Sequence, residues 1–403
     1  MANTYLTRTP TTENIDKLTL SCWVKRSSIT SSAQRIFSNA SSEYLFYRFD
    51  SNEKFRFTIV VDGNETTLRT ERVFRDTSAW YNIVVRWDTT QSTEADRIQI
   101  WVNGVRETSF SLATYPALNS TSDMFNSGTP FEIGRYATGN SEYFDGSLSH
   151  LHCCSGYAYD ATAFGSFDAN GVWKINTSPS VTYGTNGFFI LKDGNSVTDQ
   201  SGEGNNFTVG GGTLTNTEDN PSNVFATMNP LASESGITFS NGNLKTTCTT
   251  DGSGCGSTLA VKSGKWYFEV KYSDSANYGI GWGRTTEYTS SVGYTSTSYN
   301  IDEGGNKTHN SSFSNIFTLS GSNIIGFALD CDNQTIHFSQ NGNWYNNNNS
   351  STTLDPNNPD YSSVNVDEEL FPIYSHFSTS SASVEFNFGN GYFGTTAVAS
   401  AGT

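Results

Sequence analysis

A chain of 403 residues with a formal net charge of −16 has room for about two to three domains, each with a full core. Aromatic residues make up 14% and charged residues only 15%, so the cores must rest on Phe, Tyr and Trp beneath an uncharged polar surface. The acidity and the lack of any Lys/Arg cluster argue against a nucleic-acid partner, because a phosphate backbone needs concentrated positive charge.

At the N-terminus, residues 1–8 lack the basic-then-apolar pattern of a signal peptide. No run of about 18 apolar residues occurs, so no membrane insertion is expected. Helical stripes are nearly absent and period-two alternation recurs, which predicts an all-β protein. In chain order the expected strands are 18–24, 34–38, 44–49, 55–61, 65–70, 80–87, 97–102, 131–134 and 146–153. Asp62-Gly63, Asn103-Gly104 and Asn341-Gly342 supply the residue pairs that tight hairpin turns require. A first domain is expected over 1–165. A Gly/Asn/Thr-rich ordered connector follows over 166–235, with strands at 188–191 and 223–226. A second domain spans 236–395, and a tail of small residues closes the chain at 396–403.

In the first domain, Leu-Thr-Leu-Ser-Cys-Trp-Val-Lys at 18–25 opens a pattern that continues in Arg-Ile-Gln-Ile-Trp-Val-Asn-Gly at 97–104. Phe-Asp-Gly-Ser-Leu at 144–148 closes it. This series resembles a laminin-G or concanavalin-like jelly roll. In the second domain the series is Gly-Lys-Trp-Tyr-Phe-Glu-Val at 264–270, Tyr-Gly-Ile-Gly-Trp-Gly at 278–283, the stretch 324–342, Leu-Phe-Pro-Ile-Tyr at 370–374 and Val-Glu-Phe-Asn-Phe-Gly at 384–389. It resembles a SPRY domain. The resemblances imply two antiparallel β-sandwiches that bind partners and do no chemistry. Their order, with the connector motif Asp-x-Ser-Gly-x-Gly-Asn-Asn-Phe-Thr at 199–208, resembles virion fibre or decoration proteins of tailed, especially marine, bacteriophages. That resemblance implies location in a virion assembled in the bacterial cytoplasm. Its expected partners are other virion proteins, further copies of the chain, and a host-surface glycan or receptor. The alternative is an architectural protein that only packs on capsid or tail.

Catalytic and metal signals are weak. Glycosidases need two carboxylates about 5–5.5 Å apart on one strand face, and no Glu-x-Asp-x-Glu row occurs. Asp367-Glu368-Glu369 reads as solvated charge in a loop. His150, His152 and Cys154 fall on alternate positions of one strand. They read as a half-buried strand face before they read as a zinc or copper row. Asp330, Asp332 and Asn333 read as turn residues. No cofactor is expected, although laminin-G domains often bind calcium and its ligands stay unassigned here. Gly279, Gly281 and Gly283 alternate along a strand, where they allow close packing of neighbours. Among the six cysteines, Cys248 and Cys255 flank a Gly-rich turn and could pair in an oxidising medium. The ligand-binding candidates are Tyr288, Tyr294, Tyr299, Trp344 and Tyr345, in Tyr/Ser/Thr/Asn-rich loops whose composition matches that of antibody binding loops.

Overall fold

Strand alternation organises both halves of the chain. The computed structural model describes residues 3–39, 43–192, 196–273, 277–284, 295–321, 323–348, 350–390, 392–393 and 396–397. Two units emerge, Met1–Asn216 with Asn220–Val224, and Thr217–Asp219 with Phe225–Thr403.

The first unit is a sandwich of two antiparallel sheets. One has eight strands in the order Phe110–Thr114, Asn64–Val73, Lys54–Val61, Leu45–Phe49, Gln34–Asn39, Phe131–Ile133, Tyr5–Arg8 and Thr208–Gly211. The other has six, ordered Val105–Arg106, Ile98–Val102, Tyr81–Asp88, Lys17–Arg26, Gly146–Ser155 and Phe188–Ile190. Alternate residues of each strand meet between the sheets. Phe55, Phe57, Ile59 and Val61 on one side face a core shared with Leu18, Leu20, Cys22 and Val24 on the other. All three predicted hairpin turns in the chain place both of their residues at positive φ, from 48° at Asn103 to 81° at Gly342, as type I′ turns require.

The six-stranded sheet is buried on both faces. Trp23, Val84, Trp101, Cys154 and Phe189 point away from the main core and would expose a wide apolar patch. Trp80, Ala161, Phe164, Trp173 and Tyr183 cover them. Trp173 Nε1 donates to Asn82 Oδ1 at 3.1 Å, so the buried indole nitrogen is satisfied. Its ring lies where a Cβ on Gly104 would stand, 2.3 Å from that point, so the glycine of the Asn103-Gly104 turn also makes room for this cover.

This layer corrects the expected boundary at residue 165. Gly165–Phe167 pairs with Trp173–Ile175, Phe188–Ile190 pairs with Gly146–Ser155, and Thr208–Gly211 pairs with Tyr5–Arg8. Most of the supposed connector is therefore part of the first sandwich, because its apolar residues have an open sheet face and free strand edges to bury. The Asp199 motif performs one of these closures. The Asp199 carboxylate accepts from the main-chain N–H of Phe189, Ser201 and Asn205, capping the edge strand. The second strand expected in the connector, at 223–226, does not form; Asn223 only bridges to Asn220.

The second unit is also a sandwich. One seven-stranded sheet runs Met228–Ser233, Ser253–Ser257, Phe371–His376, Tyr278–Gly283, Tyr299–Asp302, Asn306–His309 and Ser312–Asn315. The other runs Ile237–Ser240, Lys245–Cys248, Ala382–Asn387, Lys265–Ser273, Ile324–Asp330, Thr335–Gln340 and Asn343–Trp344. Phe268 stacks on Phe327 at 4.7 Å and meets Trp282 edge-on at 5.1 Å in the core between them. A Cβ on Gly281 would stand 2.0 Å from the Tyr299 carbonyl oxygen, which is the close strand approach expected of that glycine row. Cys248 and Cys255 sit on opposite sheets as buried free thiols, so the pairing left open by their spacing is not made.

If the Trp173 layer is structural in this way, Trp173→Ala should lower the unfolding free energy of the first sandwich by about 3–5 kcal/mol. Denaturant melts of the wild type and variant measure it, and a change under about 1 kcal/mol would contradict the layer's importance.

Candidate functional site

The outward face of the second unit's Lys265–Ser273 sheet carries a row of polar and aromatic side chains. Registers align Trp344 with Ser339, Ser339 with Gly326, Gly326 with Glu269, and Glu269 with Asn387. Tyr267 lies across the gap that Gly326 leaves, since a Cβ there would stand 2.4 Å from the Tyr267 hydroxyl. Tyr267 donates to Glu269 Oε1 at 2.9 Å, and its ring centroid is 6.0 Å from that of Trp344. Trp344 is half-buried at the edge of this row.

Beyond Trp344 the chain forms a loop, 345–360, that is built on its own side chains. Asn346, Asn347 and Asn348 have φ of 48°, 47° and 85°. Three successive left-handed residues explain the Asn run better than ligand chemistry does, because Asn tolerates this region and most residues do not. Asn346 staples the loop: its Nδ2 donates to the Thr353 carbonyl at 3.0 Å, and its Oδ1 accepts from the Asp355 N–H at 2.8 Å. Trp344 and Ser351 exchange two main-chain bonds, at 2.7 and 2.9 Å. Together these residues enclose an open depression of about 420 Å³, lined by Asn346, Ser350, Ser351, Thr353, Leu354, Asp355 and Pro356. Its volume is in the range of small-molecule sites, about 300–1,000 Å³. Ser350 and Thr353 are exposed, and the bonds that hold Thr353 run through its main chain.

Asp360 pins the far end of the loop. Its Oδ2 accepts from the Phe338 N–H at 2.7 Å and its Oδ1 from the Asn347 N–H at 3.1 Å. The residue is 4% exposed. Burial pushes its pKa up, the two N–H bonds and Lys307 pull it partly back, and it rests at about 6.

The five sequence candidates separate. Tyr288 and Tyr294 lie outside the described residues. Tyr299 is a core residue, not a surface one, and this corrects its assignment as a ligand-binding candidate. It is 3% exposed, stacks on His309 at 4.3 Å, and its hydroxyl accepts from the Asn365 N–H at 2.9 Å. The alternation of Tyr299–Asp302 turns its side chain inward. Trp344 lies beside Tyr267, which sequence reading missed, whereas Tyr345 packs on the core against Phe317, with ring centroids 5.7 Å apart, which separates two candidates adjacent in the chain. The only signal for Tyr267 was its position one residue out of phase with the inward-facing Phe268 and Val270.

Other candidates find structural roles. Desolvation acts to raise the Asp330 pKa, but hydrogen bonds from Asn333 and the Lys265 ammonium outweigh it and hold the group down at about 2. His152 stacks on Phe189 at 4.0 Å and bonds Tyr183 through Nδ1. His150 breaks the row, since it sits in a bulge at a φ of 49°. Glu368 pairs with Arg284 at 3.2 Å. Several carboxylates on or beside the first unit's eight-stranded sheet are joined to an arginine. Asp50 pairs with Arg48 at 2.7 Å, Glu65 with Arg56 at 2.6 Å, Glu132 with Arg135, and Glu142 with Arg35. Arg35 is itself held between the rings of Phe46 and Tyr136, 3.7 and 3.8 Å from their centroids.

Residues 2–156 match the concanavalin A-like lectin/glucanases superfamily, and residues 265–391 match the SPRY domain. The chain carries a concanavalin-like domain followed by a SPRY domain. Over 92 residues it is 36% identical to the ATP-dependent RNA helicase DDX1 of Xenopus laevis, a match spanning 22% of this chain and 12% of the helicase. Among solved structures, the SPRY domain of human HERC1 aligns with a TM-score of 0.33 at 17% identity, covering 40% of this chain and 98% of that one. The native heptameric SAP-like pentraxin of Limulus polyphemus aligns with a TM-score of 0.30 at 16% identity, covering 53% of this chain and 91% of that one.

The left-handed Asn run of the SPRY domain is open to a direct test. Asn347→Val should destabilise that domain by about 1–2 kcal/mol, whereas Asn347→Gly should be nearly neutral. Equal melting midpoints for the two variants would contradict the conformational role.

Proposed function

We propose that this chain is a non-enzymatic virion structural protein of a tailed bacteriophage, carried at a fibre tip, tail or capsid surface, whose SPRY domain holds a host-surface glycan. The observation that carries the recognition role is the depression beside Trp344. It combines the side chains of Ser350, Ser351 and Thr353, the Asp355 carboxylate and the apolar surfaces of Leu354 and Pro356 on a loop held in shape by Asn346, next to Trp344 in the chain. A sugar presents the complementary surface, with an apolar ring face and a rim of hydroxyls. Preorganisation matters because a loop ordered beforehand does not spend binding energy on its own immobilisation. The virion location rests on the order of the two sandwiches and on the Asp199 motif, which lies in the last part of the first.

The reading as an architectural decoration protein is favoured by a different observation. Many polar groups of loop 345–360 are satisfied by the loop itself, and such a surface also suits packing against a neighbouring subunit. The two readings differ in what the isolated protein does.

Immobilised wild-type protein should retain bacterial lipopolysaccharide or capsular oligosaccharides, and Trp344→Ala should weaken the best ligand about tenfold or more while leaving the circular dichroism spectrum unchanged. Retention of no surface glycan, together with burial of loop 345–360 against another protein in the assembled particle, would leave the architectural reading standing.

A further inference from the structure

Arg35, Arg48, Arg56 and Arg69 lie far apart in the chain, so the sequence shows no basic cluster. Strand pairing lines them up. Arg35 stands opposite Arg48, Arg48 opposite Arg56, and Arg56 opposite Arg69, across four neighbouring strands of the concanavalin-like domain's eight-stranded sheet. Tyr47, Phe55, Phe57 and Leu68 from the same strands fill the core, so the arginines share the outward face. With strands about 4.8 Å apart, the row spans about 14 Å. Like charges directly opposite one another weaken a sheet. The next row of this face, Ser38, Phe46, Thr58 and Thr67, is built without any.

Three carboxylates answer the four guanidiniums. Glu142 bridges Arg35 and Arg48, Asp50 bridges Arg48 and Arg69, and Glu65 takes Arg56 at 2.6 Å. One positive charge is left over, on a chain whose net charge is −16. Donors are left over as well. Among the described residues, Arg48 Nη2, Arg56 Nη1 and Arg69 Nη2 have no protein acceptor. Arg35 Nη1 has none either, although Arg35 is 3% exposed and that nitrogen is buried, which is costly. The Phe46 and Tyr136 rings fix Arg35 in place between them. Phe46 stacks in turn on Tyr44 at 4.5 Å, and both rings are half-buried. An aromatic surface therefore lies beside a line of cationic forks.

We propose that this face binds an acidic oligosaccharide laid across the strands, with its carboxylate or sulfate groups on the arginine row and a sugar ring on Tyr44 and Phe46. The planar guanidinium matches either oxyanion through paired N–H donors. A ring face supplies the apolar contact that orients a sugar. The ligand takes up the surplus charge and the free donors, and it competes with Glu65 for Arg56. The rest of this acidic chain repels polyanions, so any retention of one must be local. The site is independent of the depression beside Trp344.

The full chain is titrated at low ionic strength with oligogalacturonate, which carries carboxylates, with heparin oligosaccharides, which carry sulfates, and with neutral dextran oligosaccharides. The wild type should bind at least one acidic series and not dextran, and added salt should weaken that binding. Arg56→Gln and Arg69→Gln should each weaken it about five- to tenfold. Glu65→Gln frees Arg56 of its carboxylate and keeps an acceptor for the Tyr44 hydroxyl, so it should strengthen binding about threefold. Trp344→Ala should leave it unchanged, which separates this site from the one on the SPRY domain. The proposal is overturned if neither acidic series binds at low salt, or if dextran binds as tightly. Oligothymidylate bound as tightly as the sugars also overturns it, as does the absence of any gain in Glu65→Gln, which is what a row that only braces the sheet would give. The wild-type comparison and the Glu65→Gln gain decide the matter even if an arginine variant fails to fold.

Discussion

An antiparallel strand shows alternate residues to opposite faces, and every apolar face must find a cover. In this chain the covers are aromatic, because charged residues are scarce and Phe, Tyr and Trp supply the buried area. Phe37 against Phe131 at 5.0 Å in the first sandwich and Phe268 against Phe327 at 4.7 Å in the second are the same solution used twice. The first sandwich goes further. Its six-stranded sheet is apolar on both faces, and the chain after residue 156 returns to lay Phe164, Trp173 and Tyr183 over the outer one.

That requirement sets what is left for recognition. Inward-facing aromatics such as Tyr299 are spent on packing, whatever loop composition surrounds them. Aromatics left on the outward face are those at the edge of the sheet, as Trp344 is, or out of phase with the inward row, as Tyr267 is. The loop that follows Trp344 holds its shape through backbone conformations that Asn accepts and through the side chains of Asn346 and Asp360.

Much of the fold was legible in order along the chain. Hairpins at Asp62-Gly63, Asn103-Gly104 and Asn341-Gly342 were readable because a tight turn has a local cause in two residues with positive φ. The two domain types were readable from motifs that alternate in register with their strands. The fate of residues 166–216 was not. A Gly- and Asn-rich segment looks like a connector until the sheet face and edges it completes are in view, and those belong to strands more than a hundred residues away, such as Tyr5–Arg8.

The candidate site was half legible for the same reason. Tyr/Trp/Asn composition singled out Trp344, Tyr345 and the Asn run, but composition is blind to which side of a sheet a residue faces. Tyr299 and Trp344 are alike in sequence context, and only strand pairing sends one into the core and the other to the rim. By itself, the sequence determined the all-β class, the turns and the two sandwich types, since each depends on neighbours within a few residues. Tertiary structure alone decided the third layer over the six-stranded sheet, the burial of Tyr299 and the anchoring of Asn347 to the Phe338 strand through Asp360. Each of these depends on contacts between segments distant in the chain, which no local pattern encodes.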